Sequence, residues 1–461
     1  MQLKYRRFIY LSFIVLFIIA AILLLLFAQG YSYNHLKGRV ERTGALEVLS
    51  KPKGANIIVD SKPLPNTTPF TISRLSPDLY NITIELEGYQ RWNKKIAVKG
   101  GRASSTNEVK LWPSEQTGTL LPDTSNISIY QSPNHHNLLY ISSQGLGVGL
   151  WLYNLSSGES ALLKRPANQP VEEVEWAPNN RRLLIKEQTS DNFWQVFNLT
   201  DNTIRSIAPP GAVVAQKMHW SSNDQDLIYF TAADELYEFS LNTNTAKLLW
   251  REQIVDFRHH SGLIFALVKQ GKDGIGLKIL NPKNLQVVPF DQPIPPSTNF
   301  RFLKAKGDWL PLLDTSRHVL HLLRSPLKSF KPIITLPDVV NIDWSDDGSR
   351  LLITNNFEIW QFQPAEERLD LIYRVSSTLS QARWFNNDYV LLASENELQS
   401  LELDTRDQQQ RWLLTKQTKP IQNFFLDPLG EMVTVHTETG LVRLPLITTL
   451  NPLNALPVNS P

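Results

Sequence analysis

The side chains best suited to chemistry stand in a few short clusters. His135-His136 and His259-His260 are adjacent pairs in equivalent polar stretches. Zinc-type binding needs three or four ligands converging tetrahedrally, and neighbours in a turn diverge, so both pairs read as polar turn residues. His318 and His321 are three apart on an expected strand, which sends them to opposite faces. Asp343, Asp346 and Asp347 supply carboxylates without the glutamate and spacing of a dedicated calcium loop. Gly145, Gly147 and Gly149 imitate a phosphate loop, but no helix follows to present its N-terminus to an anion. The chain has neither a Gly-x-Ser-x-Gly elbow nor a His-Glu-x-x-His helix. The sequence thus points to no catalytic, metal or cofactor residue, and no cofactor is expected.

The elements that would position any site begin with a membrane segment. Phe8 to Phe27 is free of charge, and at about 1.5 Å per residue such a helix spans a bilayer core of about 30 Å. Cleavable signal regions are shorter, about 7–15 apolar residues, so residues 8–28 read as an anchor with residues 1–7 as a cytoplasmic tail. Lys4, Arg6 and Arg7 favour a cytoplasmic N-terminus, and the bulk of the chain is expected outside the cytoplasm. The chain has 46 basic and 44 acidic residues; removing those three cations leaves 43 against 44. A neutral ectodomain gives no electrostatic footprint for nucleic acid. The absence of cysteine fits an exported protein.

After a linker over residues 29–43, Tyr80, Ile82, Ile84 and Leu86 alternate with Asn81, Thr83, Glu85 and Glu87, the period of a half-buried strand. Gly88 then supplies a turn. Further short strands, in LEVLSKP, ANIIVD, RWNKKIAV and NEVKLW, complete a small antiparallel sandwich over residues 44–112. These residues resemble the PEGA domain. Pro52-Lys53-Gly54-Ala55 stands at the turn that names the family, followed by Asp60, Thr68-Pro69 and Gly88-Tyr89. Lys53 replaces the usual Glu, and Asp78-Leu79 stands where Gly usually precedes the Tyr. The resemblance implies a spacer or adhesion module without chemistry.

Beyond a hinge at residues 113–116, two columns of similar segments keep one period. Strand-like pieces begin at Leu150, Trp194, Leu236, Leu277, Val319, Ile359, Leu398 and Leu441, at spacings of 44, 42, 41, 42, 40, 39 and 43 residues. Upstream of each lies a polar turn before a β-rich run, and in seven of eight an aromatic leads it. A period of about 40–45 residues with four strands per unit marks a β-propeller. Trp176, Trp220, Trp344 and Trp384 are expected to fill the gaps between blades. The turn Trp344-Ser345-Asp346-Asp347-Gly348 resembles the TolB-type repeat. The last repeat ends on its third strand, so Thr117 to Leu121 is expected to close the ring. The propeller then spans residues 117–449, with eight blades (seven as the alternative) and a tail at 450–461.

The fold class expected is therefore all-β: an N-terminal transmembrane helix, a PEGA-like sandwich and a propeller. Such a chain suits binding or scaffolding in the cell envelope, its partner an envelope protein or polymer. The alternative is a propeller enzyme, a glycosidase or lyase acting on an envelope polysaccharide. Short repeat turns occupy one propeller face, and variable loops occupy the other, where binding usually sits. On that variable face Gln144, Asp191, Lys272, Asp273, Asp291 and Arg301 are the expected partner-binding residues.

Overall fold

The computed structural model describes residues 3–34, 37–114, 116–122, 124–125, 127–142, 148–165, 171–187, 194–207, 214–271, 274–289, 294, 296–324 and 330–447, with the side chains of 3–9 and 330–334 outside that description. The chain divides into two compact units. One takes in residues 1–116, 402–414 and 447–461, and the other residues 117–401 and 415–446.

The first unit opens with the helix Leu3–Ala28, apolar on every side. Its segment Tyr10–Ala28 has a mean hydropathy of 3.2 and is a candidate single membrane span or signal sequence. The stretch expected to be a linker is a two-stranded hairpin instead, Tyr31–Asn34 against Arg39–Arg42. Its base is fixed by Thr43, whose amide and hydroxyl both donate to the Gly30 carbonyl at 2.7 Å.

Seven strands then form two sheets, in the orders Phe70–Leu75, Gly44–Lys51, Ala103–Lys110 and Lys62–Thr67, Asn56–Val59, Asp78–Glu85, Trp92–Val98. The sandwich is not purely antiparallel. Gly44–Lys51 and Ala103–Lys110 run parallel, because the last strand reaches the first sheet from the other one and lies beside its first strand.

The motif residues do local structural work. Gly54 and Gly88 sit at φ of 85° and 79°, the left-handed region that other residues resist. The buried Thr68 hydroxyl accepts the Ala55 amide at 3.0 Å and bonds the Ser50 hydroxyl at 2.6 Å. The Asp60 carboxylate accepts the Asn81 amide at 2.9 Å. Trp92–Val98 alternates strictly between buried and exposed, which turns Lys94 inward. That fully buried amine meets Glu402 Oε2 at 2.6 Å within the same unit, and Trp92 Nε1 donates to Glu402 Oε1 at 3.0 Å. Pro113 and Ser114, expected to belong to a hinge, are tied back to Tyr89 and Gly88.

From Thr119 onward the described strands form eight four-stranded antiparallel sheets, each matching one repeat of the sequence. Seven are built from consecutive strands. The eighth has the order Thr119–Leu120, Gly440–Pro445, Met432–Thr437, Ile421–Leu426. Its outermost strand therefore comes from the start of the second unit, pairing Thr119 with Arg443 and Leu120 with Val442. Leu121 extends this by donating to the Leu441 carbonyl at 2.8 Å.

Apolar clusters join successive repeats. One unites Ala177, Leu184 and Trp194 with Met218, Trp220 and Phe230; another unites Phe265 and Ile279 with Phe302 and Leu312. A further cluster brings Ile127, Leu138 and Tyr153 of the first repeat against Phe425 and Leu441 of the last. Sheets that each bury one face on the next, and whose last packs on the first, form a closed ring. This is a β-propeller. The first strands of neighbouring sheets touch one another, so they are the innermost and surround the ring axis.

Candidate functional site

The four repeat tryptophans mark where one sheet meets the next. Trp176, Trp220, Trp344 and Trp384 are all buried, with at most 8% exposure. Each donates its indole N–H to a main-chain carbonyl of the preceding repeat. The acceptors are Tyr130 at 3.1 Å, Glu175 at 3.3 Å, Lys304 at 3.0 Å and Asp343 at 3.1 Å. The sequence pattern did not reveal this directed hydrogen bond.

Where the residue before a repeat tryptophan is acidic, its carboxylate makes a second bridge to the next repeat. Glu175 Oε1 accepts the Trp220 amide at 3.3 Å, and Asp343 Oδ2 accepts the Trp384 amide at 2.9 Å. These positions lie on innermost strands, where charge is costly to bury unless paired.

Two charged groups result. In the first, His219 is almost fully buried, with Nδ1 2.6 Å from Glu175 Oε2 and Nε2 3.3 Å from Asp256 Oδ1. Arg258 Nη1 also approaches His219 Nε2. Burial opposes the imidazolium, but Glu175 and Asp256 outweigh it and hold the His219 pKa above its ordinary value. Burial likewise opposes the Glu175 carboxylate, yet the His219 charge keeps its pKa below the usual range. Both ring nitrogens of His219 are thus engaged within the group, leaving neither for a ligand.

The second group surrounds a cavity of about 570 Å³, lined by Gln131, Pro133, His135, Trp176, Pro178, Arg301, Lys304, Val340, Ile342, Asp343 and Arg383 among others. These come from repeats one, two, five, six and seven. In a ring, contributions from both one and five place the cavity across the axis. Arg383 is anchored by an Nη1–H donated to Gln131 Oε1 at 2.7 Å and lies over the Phe425 ring at 5.3 Å. Lys304 Nζ donates to His135 Nε2 at 3.0 Å. Burial, reinforced by Lys304 and Arg383, lowers the His135 pKa to about 3, so that imidazole is neutral. Burial also lowers the Lys304 pKa, and the neighbouring Arg383 and Lys306 charges add to this. Asp343 moves the other way, its pKa raised by burial against the pull of Arg383. Among the described residues no ion pair within 4 Å involves Arg301, Lys304 or Arg383, although ion pairs are common elsewhere.

Of the six residues expected to bind a partner, only Arg301 is described, and it lines this cavity. Gln144, Asp191, Lys272, Asp273 and Asp291 lie outside the described residues. The histidine pairs need correction. His259 and His260 are buried at the end of the strand Ile254–His260 and are not exposed turn filler. Nδ1 of His259 accepts the Ser222 amide at 2.9 Å. His135 is in a turn but borders the cavity. His318 precedes the strand Val319–Arg324 at φ of 57°, and only His321 is on it.

Asp347 keeps the turn role expected of it, accepting from Ser345 Oγ at 2.7 Å and the Ser349 amide at 2.9 Å, bonds that lower its pKa to about 2. Among the described residues no group of three or more His, Asp or Glu could hold a metal ion. Sequence reasoning missed Lys304, Asp343 and Arg383 as neighbours. The available signal was a charged residue directly beside the repeat aromatic in several units.

Comparison with known proteins bears on the first unit. Residues 43–111 match the PEGA domain family. The strands and turns of that PEGA domain are those described above. No curated protein sequence matches the chain. Among solved structures, Sqt1 of Saccharomyces cerevisiae is similar at 11% identity, with 72% of this chain and 98% of that chain covered and a TM-score of 0.47. The C-terminal WD40 domain of Sif2 is similar at 9% identity, covering 72% and 99%, with a TM-score of 0.48. The Dos1 propeller is similar at 11% identity, covering 71% and 93%, with a TM-score of 0.46. The propeller assignment itself rests on the eight sheets and the cluster that closes them.

Proposed function

We propose that this protein is a membrane-anchored binding or scaffolding protein of the cell envelope, with the PEGA domain as a spacer and the propeller as the interaction platform. The observation that carries the reading is the cavity across the ring axis. It combines an apolar wall with charged side chains that make no ion pair within 4 Å among the described residues, as recognition sites do. The helix Leu3–Ala28 is the anchor, and the cations before its apolar segment favour a cytoplasmic N-terminus. Hydrolysis of a polysaccharide ordinarily uses two carboxyl groups, whereas Asp343 is the only carboxylate among the described lining residues. Binding is therefore favoured over glycoside chemistry.

The test has two parts. Protease added outside intact cells should remove the PEGA domain and the propeller and leave a membrane stub. A photocrosslinker placed at Val340 should join the full chain to one discrete envelope component, and one placed at Lys283, exposed on a turn, should not. A protected propeller, or the same products from both positions, refutes the reading.

A further inference from the structure

The cavity wall carries three cations, Arg301, Lys304 and Arg383, against one carboxylate, Asp343. That carboxylate is already engaged by the Trp384 amide. Arg383 and Lys304 are held by neutral partners, the Gln131 amide oxygen and the neutral His135 ring. Confining three cations against a single carboxylate leaves their charge only partly compensated, which is unfavourable, and an incoming anion relieves that cost. Beside them is an apolar surface formed by Trp176, Pro178, Leu303 and Ile342. It also includes Val340, which is 40% exposed. A volume of about 570 Å³ is within the range of about 300–1,000 Å³ typical of ligand pockets.

We propose that the cavity binds an acidic peptide segment of a partner protein, its carboxylate seated between Lys304 and Arg383 and its flanking apolar side chains against Val340 and Ile342. Guanidinium groups match planar carboxylates in a bidentate fashion. Asp343 in the same wall disfavours the second charge of a phosphate monoester. The apolar half of the cavity selects a peptide over a uniformly polar uronate chain. This inference rests on the reading of the cavity as an interaction site.

The test uses the full chain in lipid nanodiscs and a fluorescein-labelled peptide of alternating Leu and Glu, six residues long, followed by anisotropy. Its Leu-Gln counterpart, polygalacturonate and inorganic phosphate serve as comparison probes. The acidic peptide should bind at least tenfold more tightly than the Gln peptide, and more weakly as salt is raised. Lys304→Gln and Arg383→Gln should each weaken it tenfold or more, with Lys283→Gln unchanged. Lys304 is the more exposed of the two, so its variant tests the proposal even if Arg383→Gln lowers the melting temperature. Equal binding of the two peptides, or binding indifferent to Lys304→Gln, overturns the proposal. So does tight, variant-sensitive binding of polygalacturonate or phosphate without binding of the peptide. If the peptide fails while Val340 still crosslinks to an envelope component, only the ligand class falls. If both fail, the function proposed above falls with it.

Discussion

Replacing Trp344 measures what couples one repeat to the next. Its ring is 6% exposed and packs in a cluster with Leu313, Leu320, Leu322, Ile342, Leu351, Ile353 and Phe362. Its indole N–H donates across to the Lys304 carbonyl at 3.0 Å. Trp344→Ala deletes the ring and leaves a cavity between repeats five and six, and truncations of this kind cost about 3–5 kcal/mol. Trp344→Phe keeps most of the apolar contact and removes the donor. It should cost about 1–3 kcal/mol, the penalty for leaving a buried polar group unsatisfied. The assay is urea denaturation followed by circular dichroism, comparing midpoints at constant slope. The order should be wild type, Phe, then Ala, and Trp176, Trp220 and Trp384 should behave alike because each donates to the preceding repeat. An Ala variant within about 1 kcal/mol of wild type would refute the inter-sheet role, being below the range for a buried ring. A Phe variant as unstable as the Ala variant would show that the hydrogen bond, and not packing, carries the coupling.

Two further outcomes are expected. Deleting residues 117–121 removes the strand paired with Gly440–Pro445 and exposes an unpaired edge, which favours aggregation; a monodisperse, equally stable variant by light scattering and thermal melting would contradict closure by that strand. The His219 pKa is raised, so its stabilising contribution is full below about 6.5, the unfolded value, and is lost as pH rises through the higher folded value. The Glu175 and Asp256 pKa values are lowered, so theirs is present above the unfolded carboxylate range and lost as pH falls through the folded values. His219→Gln should therefore flatten the decline in urea midpoint on the alkaline side of pH 6.5, and an unchanged slope there would show that His219 is neutral in the fold.

Much of this architecture is written locally. A charge-free segment long enough to span a bilayer, the two-residue alternation at Tyr80 to Leu86, and an aromatic recurring about every forty-two residues are each properties of short windows, because they follow from helix rise, strand pleat and repeat length. Even ring closure could be inferred from the missing strand of the last repeat, since an unpaired edge is unfavourable.

Other features depend on contacts remote in sequence. The hairpin at residues 31–42 and the parallel pair in the sandwich depend on which strand reaches which edge. Lys94 looks like an ordinary surface lysine until Glu402, some three hundred residues later, supplies its counter-charge. His259 and His260 look like turn residues, yet packing buries them. The cavity is the clearest case. Gln131, Lys304, Asp343 and Arg383 are scattered over more than 250 residues and share no motif. Local periodicity determines that each blade forms and that its first strand carries a charged or polar residue near the aromatic. Only closing the ring decides which of those residues face one another across the axis, because the potential there is set by distances between strands that the chain visits hundreds of residues apart.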